Sequence, residues 1–211
     1  MELNGVLMRT EHPPHNRTNK KNGLTLSRIL RKVTLFIIIF IISFHLPIFI
    51  PDFSQREQTI REILEVLEKQ PTGLANVTKE ELAEVIYEEA TRYHQDPKFI
   101  LAIIAIESEF YNWSVSEKGA KGLMQIMPYV AESLAHELGI EWSGDRTLFN
   151  PYLNIRMGIY YLSQLMLDFK DVGTALTAYN YGPTYVKSLL ERKERIPHNY
   201  CRRFLTAYKS I

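Results

Sequence analysis

Phe99-Ile-Leu-Ala-Ile-Ile-Ala-Ile-Glu-Ser-Glu-Phe110 is the stretch on which the reading of this chain turns. Eight apolar residues, Phe99 to Ile106, run straight into two carboxylates, Glu107 and Glu109. Asp96-Pro97 just before it is a helix start, with Asp as N-cap and Pro at the first helical position. On that helix Ile100, Ile103, Ile104 and Glu107 fall at i, i+3, i+4 and i+7, so Glu107 continues a bulky apolar stripe. Glu109 lies about 200° round the axis from it, above Ala102, Ala105 and Ile106. A carboxylate that ends an apolar stripe is costly as an anion. Desolvation raises its pKa, and an acid still protonated near neutral pH can act as a general acid. A helix that has simply reached the surface would read the same way, and periodicity alone favours that plainer account.

The neighbouring segments are helical too. Gln55–Lys69 has Ile60, Ile63, Leu64 and Leu67 at helical spacing and reads as a stalk or lead-in, broken by Pro71-Thr-Gly73. Thr78 with Glu81 forms a capping box that starts a helix through about Tyr93. Ser116–Gly122 is a glycine-bearing turn and Leu123–Met127 a short apolar segment. Pro128 opens a helix that Gly139 ends, and Asn150-Pro151 opens a long one to about Phe169. Further helices are expected near 172–180, 183–193 and 198–209. Alternation of period two is not found after residue 54, and there is no repeat of fixed period. The fold class expected is all-α, in one domain over residues 78–211, with residues 51–77 as a juxtamembrane helix and linker.

Charge is unevenly placed along the 211 residues. Seven Lys and Arg against two acids make residues 1–32 a +5 segment, so with a whole-chain charge of +1 the remainder is −4. A mildly acidic body argues against a nucleic-acid partner, whose phosphates need a basic footprint. The single cysteine, Cys201, excludes an intrachain disulfide and a Cys-rich metal site. Residues 33–50, VTLFIIIFIISFHLPIFI, carry no formal charge; as a helix they would span roughly 27 Å, near the thickness of a bilayer core. The competing readings are a buried core helix and a cleaved signal peptide. The long basic lead and the bulky "FIPDFSQ" that follows favour a retained single-pass transmembrane anchor. The Lys/Arg excess before the run places residues 1–32, a basic tail without expected structure, in the cytoplasm and everything after residue 50 outside. His12 and His15 in that tail read as tail residues rather than a metal pair.

Two further stretches bear on function. In Gly119-Ala-Lys-Gly-Leu-Met-Gln-Ile-Met-Pro128, Gln125 interrupts apolar residues and its amide needs partners, either a polar ligand or the turn itself. In Ala178-Tyr-Asn-Tyr-Gly182, aromatic rings flank an amide and a glycine, a combination suited to a sugar site. Tyr160 and Tyr161 read as core residues of their helix.

At these residues the chain resembles the lytic transglycosylases of the soluble-transglycosylase (SLT) type. The resemblance covers roughly residues 80–205. It is carried by "ESEF" at 107–110, "SVSEKGAKGLMQIMP" at 114–128, "NPYLNIRMGIYYL" at 150–162 and "AYNYG" at 178–182. It implies a lysozyme-like helical catalytic domain that cleaves the β-1,4 bond between N-acetylmuramic acid and N-acetylglucosamine in peptidoglycan, leaving 1,6-anhydro ends. Glu107, first residue of the ES-x-F motif, would be the single acid/base. Ser116 would bond substrate or orient Glu107. Gln125 and Met127 would line the glycan cleft, Tyr179 would aim its hydroxyl at the Glu107 region, and Asn180 would support the loop. Tyr200 would match a late tyrosine of the family. No metal and no cofactor is implied, and the partners are glycan strands and, through 33–50, the membrane. The catalytic domain would then face the periplasm from a bacterial inner membrane. An ordinary glycosidase wants a second carboxylate about 5–9 Å away; none stands out in these segments, Glu109 is on the opposite side of the helix, and Glu117 and Glu132 are the acids left open for that part. Two departures from the family pattern are Tyr129-Val-Ala after Pro128, where a small residue and Thr-Ala are usual, and the absence of Glu-Thr before Tyr200. A hydrolase on the same scaffold and a weakly catalytic glycan-binding module of an envelope assembly remain alternatives.

Overall fold

Asp96 begins the central helix as the capping logic requires: its carboxylate accepts from the Lys98 amide at 2.9 Å, and Pro97 takes the first turn. The structure is a computed structural model that describes residues 30–38, 40, 53–74 and 76–211. The chain divides into two units, Met1–Pro51 and Asp52–Ile211. In the first, residues 30–38 and 40 are helical and exposed. Residue 39 and residues 41–50 of the apolar run lie outside the described residues, as do residues 1–29 of the basic tail. Among the described residues no helix is long and apolar enough to cross a membrane.

The second unit is a set of helices: α1 (Phe53–Glu68), α2 (Lys79–Arg92), α3 (Pro97–Ser108), α4 (Pro128–Leu138), the single turn α5 (Asp145–Leu148), α6 (Pro151–Phe169), α7 (Val172–Tyr181), α8 (Pro183–Glu191) and α9 (Asn199–Ser210). The capping box is present in full: Thr78 and Glu81 each bond the other's backbone N–H. Gly139 closes α4 in the left-handed conformation, and Asn150 caps α6 ahead of Pro151. The short α5 has no strong start signal, which is why the sequence pattern passes over it. Between Val115 and Ile126 the turn region forms two isolated antiparallel bridges, Val115 with Lys121 and Lys121 with Ile126, and no longer strand.

Helix α3 is the core of this unit. Ile100, Leu101, Ala102, Ile103 and Ile104 are all buried, on every side of the helix, as expected of a helix apolar all round. α1, α2 and α9 pack against it, and α6 closes over α2 and meets α4, α5 and α7. α1 is integral to this unit: Ile63 and Leu67 are fully buried in the same core as α3.

α9 lies antiparallel to α3. Tyr208 donates to Asp96 at 2.7 Å at one end, the rings of Phe204 and Phe99 pack at a tilt with centroids 4.4 Å apart in between, and Arg203 donates to the Ile106 carbonyl at 2.6 Å at the other end. The residues used, Tyr200, Arg203, Phe204 and Tyr208, recur at three- and four-residue steps, the stripe of one helix face. This docking carries the start of α9 to Glu107 at the end of α3.

Candidate active site

The end of α3 is held by two kinds of constraint. The Ser108 hydroxyl is buried and donates to the Leu123 carbonyl at 2.8 Å and the Ile104 carbonyl at 3.2 Å. The next two residues, Glu109 (φ 51°) and Phe110 (φ 64°), both take left-handed backbone conformations. For residues other than glycine this costs roughly 1–2 kcal/mol each. The buried Phe110 ring offsets that cost by anchoring the turn in the core. The helix therefore stops within two residues of Glu107, whose side chain sits half-buried in the last turn.

Tyr200 is buried at the start of α9 and donates its hydroxyl to Glu107 Oε1 at 2.6 Å. Burial raises the Glu107 pKa above the ordinary carboxylate value. The Tyr200 hydrogen bond and the Arg203 guanidinium oppose that rise without cancelling it. Among the described residues Arg203 is the charged group that acts on Glu107. Burial, then the neighbouring Glu107 charge, hold the Tyr200 phenol well above its usual titration range, so it remains a donor. The result is a carboxylic acid that keeps its proton to higher pH than an exposed Glu, with one oxygen fixed by a phenol.

Residues 112–127 are folded against this acid by buried amides. Asn154 on α6 is fully buried; its carbonyl oxygen accepts from the Met124 amide at 2.8 Å, and its NH2 donates to the carbonyls of Lys121 at 3.0 Å and Leu148 at 2.9 Å. Gly122 (φ 81°) makes this approach possible, since a Cβ there would come within 2.2 Å of the Asn154 side chain. Tyr179 donates to the Met124 carbonyl at 2.8 Å. Its hydroxyl thus braces the loop rather than bonding Glu107, although the Glu107 charge is near enough to push the Tyr179 pKa further up, after burial.

The other expected site residues are placed as follows. The NH2 of Gln125 is taken up by the carbonyls of Ser114 (3.0 Å) and Gly122 (2.9 Å), so the turn satisfies its donors and leaves the amide oxygen for any ligand. Met127 is half-buried at the N-cap of α4. Ser116 is exposed; its hydroxyl accepts from the Ala120 amide at 2.9 Å and makes no bond to Glu107. Asn180 is exposed on the last turn of α7 with no hydrogen bond to its side chain among the described residues. Tyr160 bonds Glu137 at 3.0 Å, while the half-buried Tyr161 packs its ring 5.5 Å from that of Tyr179. Burial, with a smaller effect of Tyr129, pushes the Tyr161 phenol up to about 12. Among the described residues no group of three or more His, Cys, Asp or Glu could hold a metal ion.

Three residues that shape the site drew no expectation: Ser108, Asn154 and Arg203. Asn154 carried a signal, a lone amide amid Leu153 and Ile155 that had to find buried partners. Ser108 and Arg203 carried none, because their partners are chosen by packing.

Residues 84–200, more than half of the 211, match the family described as "Transglycosylase SLT domain". The membrane-bound lytic murein transglycosylase C of Actinobacillus pleuropneumoniae is 32% identical over 130 residues, which are 61% of this chain and 36% of that protein. A transglycosylase of Enterobacteria phage PRD1 is 33% identical over 99 residues, 47% of this chain and 34% of the relative. This chain thus spans about a third of the length of the curated relatives it matches. Among solved structures, the 70 kDa soluble lytic transglycosylase of Escherichia coli aligns with a TM-score of 0.55 at 23% identity, over 74% of this chain and 29% of that one, a likeness of fold.

Proposed function

Because the chain belongs to the transglycosylase SLT domain family, we propose that it is a peptidoglycan lytic transglycosylase, a carbon–oxygen lyase acting on the bond between N-acetylmuramic acid and N-acetylglucosamine. The observation that carries this reading is Glu107: one desolvated acid, fixed by Tyr200 at 2.6 Å, at the end of a buried helix. Its raised pKa suits the first step, in which the Glu107 proton passes to the glycosidic oxygen as the C1–O4 bond breaks. The carboxylate so formed then takes the proton of the C6 hydroxyl of the same muramoyl residue. The C6 oxygen closes on C1, the 1,6-anhydro ring forms, and Glu107 is again protonated. No water is consumed, and one carboxyl group serves both steps.

Tyr200 supports this cycle by donating to Glu107 in either charge state, and Arg203 by favouring the carboxylate once the proton has left. Ser116, Gln125, Met127, Tyr179 and Asn180 are assigned to the glycan cleft. For Gln125 the free amide oxygen favours a substrate hydroxyl or N–H as its partner. The catalytic unit is taken to be tethered through residues 33–50 and to face the cell wall from the periplasmic side of a bacterial inner membrane. The supports are the uncharged run, the +5 segment before it, and a relative whose name describes it as membrane-bound.

The test is mass spectrometry of fragments released from purified sacculi by the full chain in detergent, beside Glu107→Gln. Anhydro fragments from the unmodified chain alone, about 18 Da lighter than hydrolysed ones, are the expected result for intramolecular attack with Glu107 as acid/base. Reducing-end fragments would identify a hydrolase instead, and equal release by both proteins would remove Glu107 from the chemistry.

A further inference from the structure

The turn that follows Glu107 is tied to a segment outside the family-matched residues 84–200: Thr72-Gly73, in the break between α1 and α2. The Asn112 amide donates to the carbonyl of the buried Thr72 at 2.9 Å, and the Trp113 indole N–H donates to the Gly73 carbonyl at 2.7 Å. Gly73 (φ 65°) runs close against two rings. A Cβ there would come within 2.6 Å of the Tyr111 ring and 3.2 Å of the Trp113 ring, an approach that glycine leaves open. The Trp113 ring also packs on Phe149 with centroids 5.1 Å apart, and the Asn112 side-chain NH2 donates to the Phe149 carbonyl at 2.9 Å. Trp113 keeps 46% of its surface in water. Burial alone therefore does not fix it; the bond to Gly73 and the contact with Phe149 do.

The consequence falls on the next residue. The Ser114 carbonyl accepts from the Gln125 side-chain NH2 at 3.0 Å and from the Gly122 amide at 3.1 Å. The Ser114 hydroxyl donates to the carbonyl of Ser108, the residue after Glu107, at 3.3 Å. Gln125 holds a φ of 50°, a costly conformation for a residue with a Cβ. Such a backbone persists only where the surroundings over-determine it. The bonds from its NH2 to Ser114 and Gly122 belong to those surroundings, and they leave the amide oxygen as the group for a ligand. A chain of direct contacts thus runs from Gly73 through Trp113 and Ser114 to Gln125.

We propose that Trp113 is a positioning residue for glycan binding: clamped to Gly73, it fixes Ser114, and through Ser114 it fixes the Gln125 amide. This rests on the assignment of Gln125 to the glycan cleft in the lytic transglycosylase reading. Trp113 acts through Gln125 and touches no reacting atom. Glu107 is held separately, by Tyr200 from α9, so the device sets affinity for the strand and leaves the proton transfer alone. The connection that leaves α1 is then part of the binding machinery, although it lies outside the matched family segment.

The test is a double-mutant cycle, read by titration of a β-1,4-linked N-acetylglucosamine hexasaccharide into the full chain carrying Glu107→Gln, which keeps the ligand intact. In that background Trp113→Phe, which keeps a ring and loses the N–H, weakens binding about fivefold. Gln125→Ala weakens it about tenfold, and Trp113→Phe added to Gln125→Ala costs nothing more, because the group it positions is gone. Gly73→Ala disturbs the same clamp from its other partner and shows the same dependence on Gln125. A role in stability alone would not depend on Gln125. Unchanged binding by Trp113→Phe, losses that add in the double variant, a drop in melting temperature that accounts for the loss, or no binding by the parent overturns the proposal. Fragment release from sacculi by the otherwise unmodified chain separates the two readings. Release with losses that add ends the positioning role alone; losses that depend on Gln125 without release end the lytic reading and leave the positioning role standing.

Discussion

Glu107 and Glu109 stand two residues apart on opposite sides of the end of α3, and they live in different chemical worlds. On one side α9 lies across the helix. Glu107 is half-buried there, its Oε1 bonded by Tyr200, with Arg203 and Tyr179 close by. On the other side Glu109 is exposed and borders an open cleft of about 330 Å³ shared with Val66, Lys69, Gln70 and the aromatic Phe110. The two side chains are chemically identical. What differs is a covering helix that removes water from one of them, and removal of water is what lifts a carboxyl pKa into a range where it can donate a proton. A general acid is therefore a property of the place and not of the residue type.

The contrast can be broken most directly by removing each acid in turn. Glu107→Gln lowers fragment release from sacculi by about 10³-fold, while Glu109→Gln stays within about twofold of the parent, as surface changes usually do. Equal losses in the two variants would erase the distinction. Next in size is the scaffold on the Glu107 side. Asn154→Ala orphans the Met124 amide and the Leu148 carbonyl and removes one of the two bonds to the Lys121 carbonyl, and urea unfolding should register a loss of about 3 kcal/mol. A loss below about 1 kcal/mol would mean that water replaces the amide.

Tyr200→Phe sharpens the comparison from within the site. It removes the hydrogen bond that opposes the rise in the Glu107 pKa, and kcat should fall about tenfold. The sign of the pH effect is fixed by the same contact. The hydrogen bond favours the carboxylate, so without it Glu107 holds its proton to still higher pH. The alkaline limb of the rate profile then moves up, and Arg203→Gln, by removing a positive charge, moves it the same way. A limb that moves down in either variant would contradict the assignment. The smallest effect belongs to Glu109. Its φ of 51° suits glycine, and Glu109→Gly should raise stability by about 0.5–1 kcal/mol in thermal unfolding without altering activity.

Sequence patterns carried much of this molecule. Thr78 with Glu81, Asp96-Pro97, Pro128 with Gly139 and Asn150-Pro151 each marked a helix end where one is found. These signals are local, since a cap bonds backbone within a few residues of itself. The apolar run of α3 likewise announced a buried helix and brought Glu107 into view. Tyr161 was only half legible: its helical position spoke for the core, and its ring also packs on Tyr179 at the edge of the site. The helical lead-in at 55–69 was legible as a helix, but its inclusion in the core was not, because Ile63 and Leu67 meet partners from other elements.

By itself, then, the sequence determined an all-helical unit, the capped ends of several of its helices, and a carboxylate at the end of its most apolar helix. The tertiary structure decided which side of that helix is dry. Tyr200 and Arg203 reach Glu107 and Ile106 across 93 and 97 residues of chain, and Tyr179 reaches Met124 across 55. Contacts at such separation depend on how whole helices dock, through Phe99 on Phe204 and Asp96 on Tyr208. Side-chain periodicity can say that α9 has a face to bury, but only packing selects the helix it is buried against, and with it the acid that loses its water.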